Sequence, residues 1–377
     1  MAESIVQGWQ TLPTDKGLWH PFILDSGGPC RHDYDMSEHH KDTLLTDWRE
    51  RALAFEREIN GVVLGLNHAV RKLTLAIFAR GHVLLEGDVG VGKTTLLRAV
   101  ACGLGGAYER IEGTIDLMPN DLVYHAYINE LGKPQVDPGP ILKHGEALSV
   151  FFFNEVNRAR PQVHSLLLRV MAERSVTAFN REYFFPHLLV FADRNRVEKE
   201  ETFEIPSAAR DRFSMELHIA TPGDQELQRQ LMFDPKFHDV DRLIASIRPG
   251  ILPYAQIGEI GRAIQHAIQA SPALQDYALG LWQATRQPKA YGVKLEGVDM
   301  DKLILAGASA RGMSLMMRAA RAHAWLAGRT YLTPEDIQAV FRETTAHRVF
   351  FTPVYEMRRE AIAGELIGQI LRQVAAP

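Results

Sequence analysis

Cysteine is scarce in this sequence, and its two cysteines lie far apart. Cys30 and Cys102 form no C-x-x-C pair, so the chain offers neither a disulfide framework nor a cysteine-based metal site. A chain of 377 residues with so few cysteines is typical of a reducing compartment. We therefore expect a cytoplasmic location.

Long hydrophobic runs are also missing. No apolar stretch approaches the roughly 18 residues that a membrane-spanning helix needs. The first residues, MAESIVQGWQ, lack the basic and apolar segments of an export signal. The sequence thus predicts a protein that is neither exported nor inserted into a membrane.

Neither sign of charge dominates the chain. The 46 acidic and 42 basic residues leave a formal net charge of -4, so no overall positive field favours nucleic acid or an anionic membrane surface. The sequence also has no recognisable helix-turn-helix and no stripe of basic and aromatic residues. We therefore expect no nucleic-acid partner, and salt-sensitive DNA binding would contradict this expectation.

The sequence divides into three parts. Residues 1–48 are rich in turn-forming and charged residues without a sustained period, which predicts a loosely ordered N-terminal extension. Residues 49–222 alternate short apolar runs with helical patterns, which predicts an α/β core with a largely parallel sheet between helices. Residues 223–377 carry apolar residues at helical spacing, which predicts a smaller helical domain.

Two local features allow alternative interpretations. The histidines of the extension, His32, His39 and His40, could bind a metal, but their spacing matches no defensible site and a solvated arm is the preferred interpretation. Alternating apolar residues around ELGKP predict a β-hairpin from Tyr124 to Val136. This hairpin would be either a lever or client contact, or a surface hairpin without a partner.

A phosphate-binding loop is the strongest motif in the chain. The segment GDVGVGKT follows the apolar run HVLLEG and precedes a helical pattern, which is the context that G-x-x-x-x-G-K-[ST] requires. Backbone N–H groups and the helix N-terminus suit phosphate oxygens, with Lys93 at the β- and γ-phosphates and the Thr94 hydroxyl at Mg²⁺. The expected binding residues are Gly87, Asp88, Val89, Gly90, Val91, Gly92, Lys93, Thr94 and Thr95. The expected ligands are ATP and Mg²⁺.

The end of a later apolar run departs from the usual pattern of nucleotide hydrolases. The run Val150 to Phe153 ends in Asn154 and Glu155, where such enzymes usually have two acids. Glu155 is the candidate general base that polarises the attacking water. Asn154 can accept a hydrogen bond from a metal-bound water but brings no negative charge to Mg²⁺. We expect slow or metal-demanding hydrolysis; the alternative is a nucleotide-gated scaffold without turnover.

Together these motifs resemble those of the MoxR family of AAA+ ATPases. The resemblance covers about residues 59–348. In order, it includes LLEGDVGVGKTTL, RIEGTIDLMPNDL, DPGPIL, FFFNEVNRARP, LLLRVMAERSVTA, EIPSAARDRF, GASARG and YLTPEDIQAV. It implies a P-loop AAA+ core, with a parallel sheet flanked by helices, followed by a smaller all-α lid domain.

The resemblance also implies further site residues. Asn195, which ends the run HLLVFADRN, lies where the family keeps the polar residue that senses the γ-phosphate. Arg212 lies where the family has the arginine finger that reaches the nucleotide of the neighbouring subunit. Arg311 matches the lid arginine that contacts the same nucleotide from the helical domain. Because a finger supplied in trans makes hydrolysis depend on assembly, a homo-oligomeric ring is implied, expected to be a hexamer.

Two positions depart from the family pattern. The family's Asp-Glu pair is Asn154-Glu155 here, and its Gln-Asn-Pro around the sensor is Arg194-Asn195-Arg196. The first change leads us to expect a weaker Mg²⁺ site. The two arginines would either partly replace the missing metal charge or face solvent.

The function implied by the resemblance is that of an ATP-driven, chaperone-like remodeller. Members commonly work with a partner that carries a von Willebrand factor A domain. They help a client protein complex to mature or become active, often by metal or cofactor insertion, as for methanol dehydrogenase. Activases of Rubisco or nitric-oxide reductase share most of these motifs, so an activase of that type stays an alternative. The residues do not identify the client.

Overall fold

The computed structural model describes residues 38–195 and 203–377, with side chains from residue 42 onward. The α-helices in these ranges are α1 (Glu38–Asn60), α2 (Asn67–Phe78), α3 (Lys93–Leu104), α4 (Pro119–Val123), α5 (Pro161–Glu173), α6 (Ser207–Arg210), α7 (Gln225–Phe233), α8 (Val240–Ala245), α9 (Ile257–Ala267), α10 (Pro272–Arg286), α11 (Met300–Leu303), α12 (Ala310–Leu326), α13 (Pro334–Thr345), α14 (Pro353–Glu356) and α15 (Arg359–Gln373). The β-strands are β1 (His82–Glu86), β2 (Ala107–Glu112), β3 (Tyr124–Ile128), β4 (Pro134–Pro138), β5 (Leu148–Asn154), β6 (Ser175–Ala178), β7 (Arg181–Phe184), β8 (Leu189–Arg194), β9 (Phe213–His218), β10 (Ile304–Ala306) and β11 (Phe350–Phe351).

Five parallel strands form the central sheet in the order β2-β5-β8-β1-β9. Along β5 the side chains alternate between its two faces: Val150 and Phe152 pack in one hydrophobic core, whereas Phe151 and Phe153 pack in the other. Burial on both faces is typical of a parallel sheet covered by helices, and it explains the unbroken apolar runs in the sequence. The predicted parallel sheet is confirmed, and the runs HVLLEG, VFFFNE and HLLVFADRN correspond to β1, β5 and β8.

The carboxyl ends of these strands meet at one edge of the sheet, because all five run in the same direction. The phosphate-binding loop follows β1, Asn154 ends β5, and Glu112 ends β2. Strand β8 lies between β1 and β5, so Asn195, which follows it, lies between the loop and Asn154. The sheet order therefore brings together motifs that are far apart in the sequence.

The chain after residue 222 is helical apart from one short antiparallel pair of strands, β10 with β11. Helix α13 begins at a capping box: the backbone N–H of Thr333 donates to the Asp336 carboxylate at 2.8 Å, and Pro334 occupies the first helical position. Among the described residues, no helix combines the length and the apolar content needed to cross a membrane.

The first described helix begins earlier than the sequence indicated. Helix α1 starts at Glu38, so residues 38–48, which were expected to belong to the extension, are helical. Leu45 and Trp48 are buried, and the indole nitrogen of Trp325 donates to the Leu45 carbonyl at 3.0 Å. Neighbouring charges and histidines conceal Leu45 in the sequence. The predicted arm over residues 1–37 and the side chains of its histidines lie outside the described part.

A β-hairpin occupies the segment where one was expected. Strands β3 and β4 pair in antiparallel register from Tyr124 opposite Pro138 to Ile128 opposite Pro134. The tip exposes Ile128 and Leu131. The division of the chain into extension, core and lid at residues 48 and 222 stays a prediction.

Candidate active site

The loop between β1 and α3 allows close approach of its backbone to a ligand. Gly92, the N-cap of α3, has a φ of 88°, a left-handed conformation that favours glycine. At Gly87 a Cβ atom would lie 2.2 Å from the carbonyl oxygen of Ile219, so a larger residue does not fit there. The free N–H groups and the positive dipole end of α3 make this loop suitable for phosphate.

One open cleft at the carboxyl edge of the sheet brings most of the predicted site residues together. Its volume is about 400 Å³. The residues that line it are Val89, Gly90, Val91, Gly92, Lys93, Thr94, Thr95, Arg110, Glu112, Asn154, Glu155, Asp193 and Asn195. The loop, the candidate base and the candidate γ-phosphate sensor therefore face a shared space. Gly87 and Asp88 lie at the base of the loop.

The side chain of Lys93 is buried and fully engaged. Its Nζ donates to the carbonyl oxygens of Gly87 at 2.6 Å and Asp88 at 3.2 Å, and lies 3.3 Å from Oδ2 of Asp193. The other carboxylate oxygen of Asp193 accepts the backbone N–H of Glu155 at 2.6 Å. Burial raises the pKa of Asp193, although the Glu155 N–H and Lys93 oppose this rise. Asp193 thus links the phosphate-binding loop to the segment that carries the candidate base.

Glu155 follows β5 directly and has an unusual backbone conformation. Its φ of 52° is left-handed, which is uncommon for a residue other than glycine and clusters at functional sites. Its Oε2 accepts from Arg158 at 2.9 Å. This contact holds the carboxylate at the side of the cleft.

Asn154 is buried and bonded to the neighbouring strand. Its Nδ2 donates to Oε1 of Glu112 at 2.7 Å, and the two residues are partners in the register of β5 and β2. Oε2 of Glu112 accepts from Arg110 at 2.9 Å. A carboxylate therefore lies next to the position where the sequence has an amide in place of an acid.

Sequence reasoning missed Asp193, Arg110 and Glu112. A signal for Asp193 was present, because it is a carboxylate near the end of the same apolar run that carries Asn195. Arg110 and Glu112 lie in the quoted motif RIEGTIDL, but their role depends on β2 pairing with β5. The order of strands in the sheet cannot be read from the motifs alone.

Arg194 does not take either of the two positions that the sequence suggested. It lies 3.2 Å from Glu86 and 3.0 Å from Glu216, and it is absent from the residues that line the cleft. Its guanidinium therefore forms ion pairs that join β8 to β1 and β9. It neither faces the phosphate site nor stands free in solvent. Arg196 lies outside the described residues.

The two other predicted arginines, Arg212 and Arg311, do not line the cleft of their own chain. Arg212 directly precedes β9, whose first residue pairs with His82 at the start of β1. Arg212 thus lies at the amino edge of the sheet, and the five residues of β1 separate it from the loop by about 16 Å. Arg311 lies 2.8 Å from the Asp211 carboxylate, beside Arg212 in the chain.

The side chains of the cleft fit a magnesium ion. The Thr94 hydroxyl, the Asn154 amide oxygen and the carboxylates of Glu112 and Glu155 are the oxygen donors that Mg²⁺ prefers. Among the side chains that the structure describes, residues 42–195 and 203–377, no group of three or more His, Cys, Asp or Glu could hold a metal ion by itself. In nucleotide sites, phosphates and water complete the coordination of Mg²⁺.

The fold and the site define an AAA+ ATPase. The phosphate-binding loop follows β1, the carboxylate of Glu155 follows β5, and a helical region follows the sheet along the chain. The family model described as "ATPase family associated with various cellular activities (AAA)" matches residues 82–215. The model of the AAA lid domain matches residues 300–366. The expected AAA+ core and helical lid are thereby confirmed.

Known proteins narrow this class to one family. The chain is 62% identical to Protein MoxR of Methylorubrum extorquens over 336 residues, which are 89% of this chain and 98% of that protein. It is 30% identical to Chaperone MoxR1 of Mycobacterium tuberculosis, over 85% of this chain and 81% of that protein. A crystal structure of a candidate ATPase from Cytophaga hutchinsonii matches with a TM-score of 0.76 and 30% identity, covering 90% of this chain and 98% of that one. The chain belongs to the MoxR family of AAA+ ATPases.

Proposed function

We propose that this protein binds ATP with Mg²⁺ in the cleft and hydrolyses it to ADP and phosphate. The observation that carries the proposal is the convergence of Lys93, Thr94, Glu155 and Asn195 on one open space at the carboxyl edge of the sheet. These are the residue types that phosphoryl transfer to water requires: a phosphate-binding lysine, a hydroxyl for the metal, a base and a polar group for the γ-phosphate.

Each side chain then has a separate task. Phosphate oxygens would accept from Lys93 Nζ in place of the Gly87 and Asp88 carbonyl groups. Glu155 would take a proton from the attacking water, and Asn195 would orient the γ-phosphate. Thr94 and Asn154 would hold Mg²⁺, directly or through water, and the bound metal would neutralise charge on the β- and γ-phosphates. Because Asn154 is uncharged, we propose slow or metal-demanding turnover.

The assembly that we propose is a homo-oligomeric ring, a hexamer, as AAA+ ATPases usually form rings. Arg212 supports it, because the length of β1, about 16 Å, separates this side chain from the loop of its own chain. Arg212 would therefore act on the nucleotide of the neighbouring subunit. The ion pair of Arg311 with Asp211 keeps the lid arginine at the same edge, so we assign it to the same neighbouring site.

The biological role that we propose is chaperone-like remodelling of a client complex in the cytoplasm. Its support is similarity to proteins named Protein MoxR and Chaperone MoxR1. The partner would carry a von Willebrand factor A domain, and the client would be matured by metal or cofactor insertion, as in the methanol dehydrogenase type. Stable co-purification of such a partner with the Glu155→Gln protein in ATP, but not with Lys93→Ala, would support this role.

The experiment that tests ATP hydrolysis is turnover under Mg²⁺ titration by wild type, Glu155→Gln and Lys93→Ala. Glu155→Gln should bind ATP but lose turnover by about 10²–10⁴-fold, the usual contribution of a general base. Lys93→Ala should lose ATP binding. Glu182→Gln, an equal charge change on the surface strand β7, is the control and should behave as wild type. Undiminished turnover by Glu155→Gln would contradict the proposal.

A second candidate function is a nucleotide-gated scaffold with little turnover. The uncharged Asn154 at the end of β5 favours it, because the amide weakens metal retention. The same titration separates the two candidates. Tight ATP binding and ring assembly without phosphate release at any Mg²⁺ concentration would indicate the scaffold.

A further inference from the structure

The charge that Asn154 lacks is present one strand away. Glu112, the last residue of β2, faces Asn154 in the strand register, and its Oε1 accepts from Asn154 Nδ2 at 2.7 Å. We propose that Glu112 supplies the carboxylate of the Mg²⁺ site. Compared with the family pattern, which has an aspartate at the end of β5, the negative charge here lies at the end of β2. The inference rests on the proposed function, the binding of ATP with Mg²⁺ in this cleft.

The hydrogen bond fixes the orientation of the Asn154 amide. A carboxylate can only accept, so the NH₂ group of Asn154 must face Glu112. Its Oδ1 then faces away from Glu112 and can accept a hydrogen bond from a metal-bound water. Asn154 and Glu112 together thus present an oxygen acceptor at the end of β5 and one negative charge at the end of β2, which lies one strand further from the phosphate-binding loop than β5 does.

The other carboxylates of the cleft are engaged elsewhere. Asp193 is only 2% exposed, and its two oxygens contact the Glu155 N–H and Lys93. Glu155 is paired with Arg158 and is assigned the role of base. Glu112 is also paired, with Arg110, but the side chains are 52% and 38% exposed. Since exposed ion pairs are weak, Glu112 is the carboxylate that a metal and its waters can recruit most readily.

The test uses Mn²⁺ as the probe, measured by electron paramagnetic resonance in the presence of a non-hydrolysable ATP analogue. Carboxylates that act on a metal through its ligands or waters contribute about 10–100-fold to affinity. Glu112→Gln should therefore weaken Mn²⁺ binding at least about tenfold. Asn154→Asp should strengthen it. The double variant Glu112→Gln/Asn154→Asp should return to about the wild-type affinity, because one carboxylate is again present.

A matched control is available on the same strand. Glu109 is bonded to Lys143 and His144 and does not line the cleft, so Glu109→Gln should leave Mn²⁺ affinity unchanged. Analogue affinity is also measured without metal, and thermal melts verify the fold of each variant. The double variant serves as a second test, since recovery of affinity cannot result from misfolding.

Several results would overturn the proposal. These are unchanged Mn²⁺ affinity in Glu112→Gln, failure of the double variant to recover, or an equal loss of analogue affinity with and without metal. A tenfold weakening in Asp193→Asn but not in Glu112→Gln would place the charge on Asp193 instead. Failure of the wild type to bind the analogue at all would refute the proposed function itself, and this inference with it.

Discussion

Arg348 and Arg311 approach the same carboxylate from opposite environments, which gives a direct test of what burial contributes. Nε of Arg348 lies 3.1 Å from Asp211 Oδ1, and Nη1 of Arg311 lies 2.8 Å from Oδ2. The Arg348 side chain is 0% exposed, whereas that of Arg311 is 48% exposed. Arg348 also donates to the backbone carbonyls of Asp211, Phe213 and Ser214, so it fixes the segment that carries Arg212.

The expected cost of removing each guanidinium differs several-fold. Burial lowers the pKa of Arg348 to about 10, so it stays charged at neutral pH. Replacing it by methionine leaves buried carbonyl groups without donors and removes one partner of a buried pair, which costs about 3–5 kcal/mol. At about 2 °C per kcal/mol for a large domain, the Tm should fall by about 6–10 °C. Arg311→Met removes an exposed ion pair, which contributes about 0–1 kcal/mol to stability, so the Tm of this variant should fall by about 2 °C or less.

Thermal unfolding of the two variants and the wild type, followed by circular dichroism without nucleotide, measures this difference. Methionine has a similar length in both places, so each variant is the control for the other. Equal Tm shifts in the two variants would refute the reasoning that burial, and not the ion pair with Asp211, determines how much stability each arginine contributes. A shift below about 2 °C in Arg348→Met would refute it as well.

Two further predictions concern assembly and pH. Neither Arg212→Ala nor Glu155→Gln should hydrolyse ATP alone, but a mixture of the two should regain turnover. In mixed rings some interfaces combine the intact Glu155 of one subunit with the intact Arg212 of its neighbour. No recovery would contradict action of Arg212 in trans. Burial lowers the pKa of His82 to about 4 from 6.5, and its neutral ring accepts the Val190 N–H at 2.9 Å. The unfolded state therefore binds the proton more tightly than the folded state. The contribution of neutral His82 to the free energy of unfolding, about 3 kcal/mol, is fully present above pH 6.5 and is lost as the pH falls to 4. His82→Gln should therefore flatten the rise of the urea midpoint with pH between 4 and 6.5; an unchanged slope would count against this assignment.

The sequence predicted those parts of the candidate site that depend on local spacing. The phosphate-binding loop needs glycine at fixed offsets between a strand and a helix, so its position and its residues follow from a single motif. The strand β5 and the candidate base Glu155 follow in the same way from an apolar run that ends in a carboxylate. The parallel sheet was predictable because strands buried on both faces leave unbroken apolar runs.

Contacts between separate strands were not predictable from motifs. The bond between Glu112 and Asn154 depends on β2 lying beside β5, a fact of sheet order and register. The location of Arg311 beside Asp211 likewise depends on how the lid helix α12 meets the loop before β9. The start of α1 was misplaced because Leu45 becomes a core residue only by contact with a helix distant in the chain.

The two departures from the family pattern have separate physical consequences. Arg194 does not replace metal charge at the phosphate site, because Glu86 and Glu216 hold its guanidinium and it does not line the cleft. Burial alone would raise the pKa of Glu216, but Arg194 and Arg210 lower it to about 2, so this ion-pair network stays charged at neutral pH. Arg194 therefore ties together β8, β1 and β9. A negative charge that replaces the one missing at Asn154 must come from inside the cleft, where Glu112 is the carboxylate bonded to Asn154.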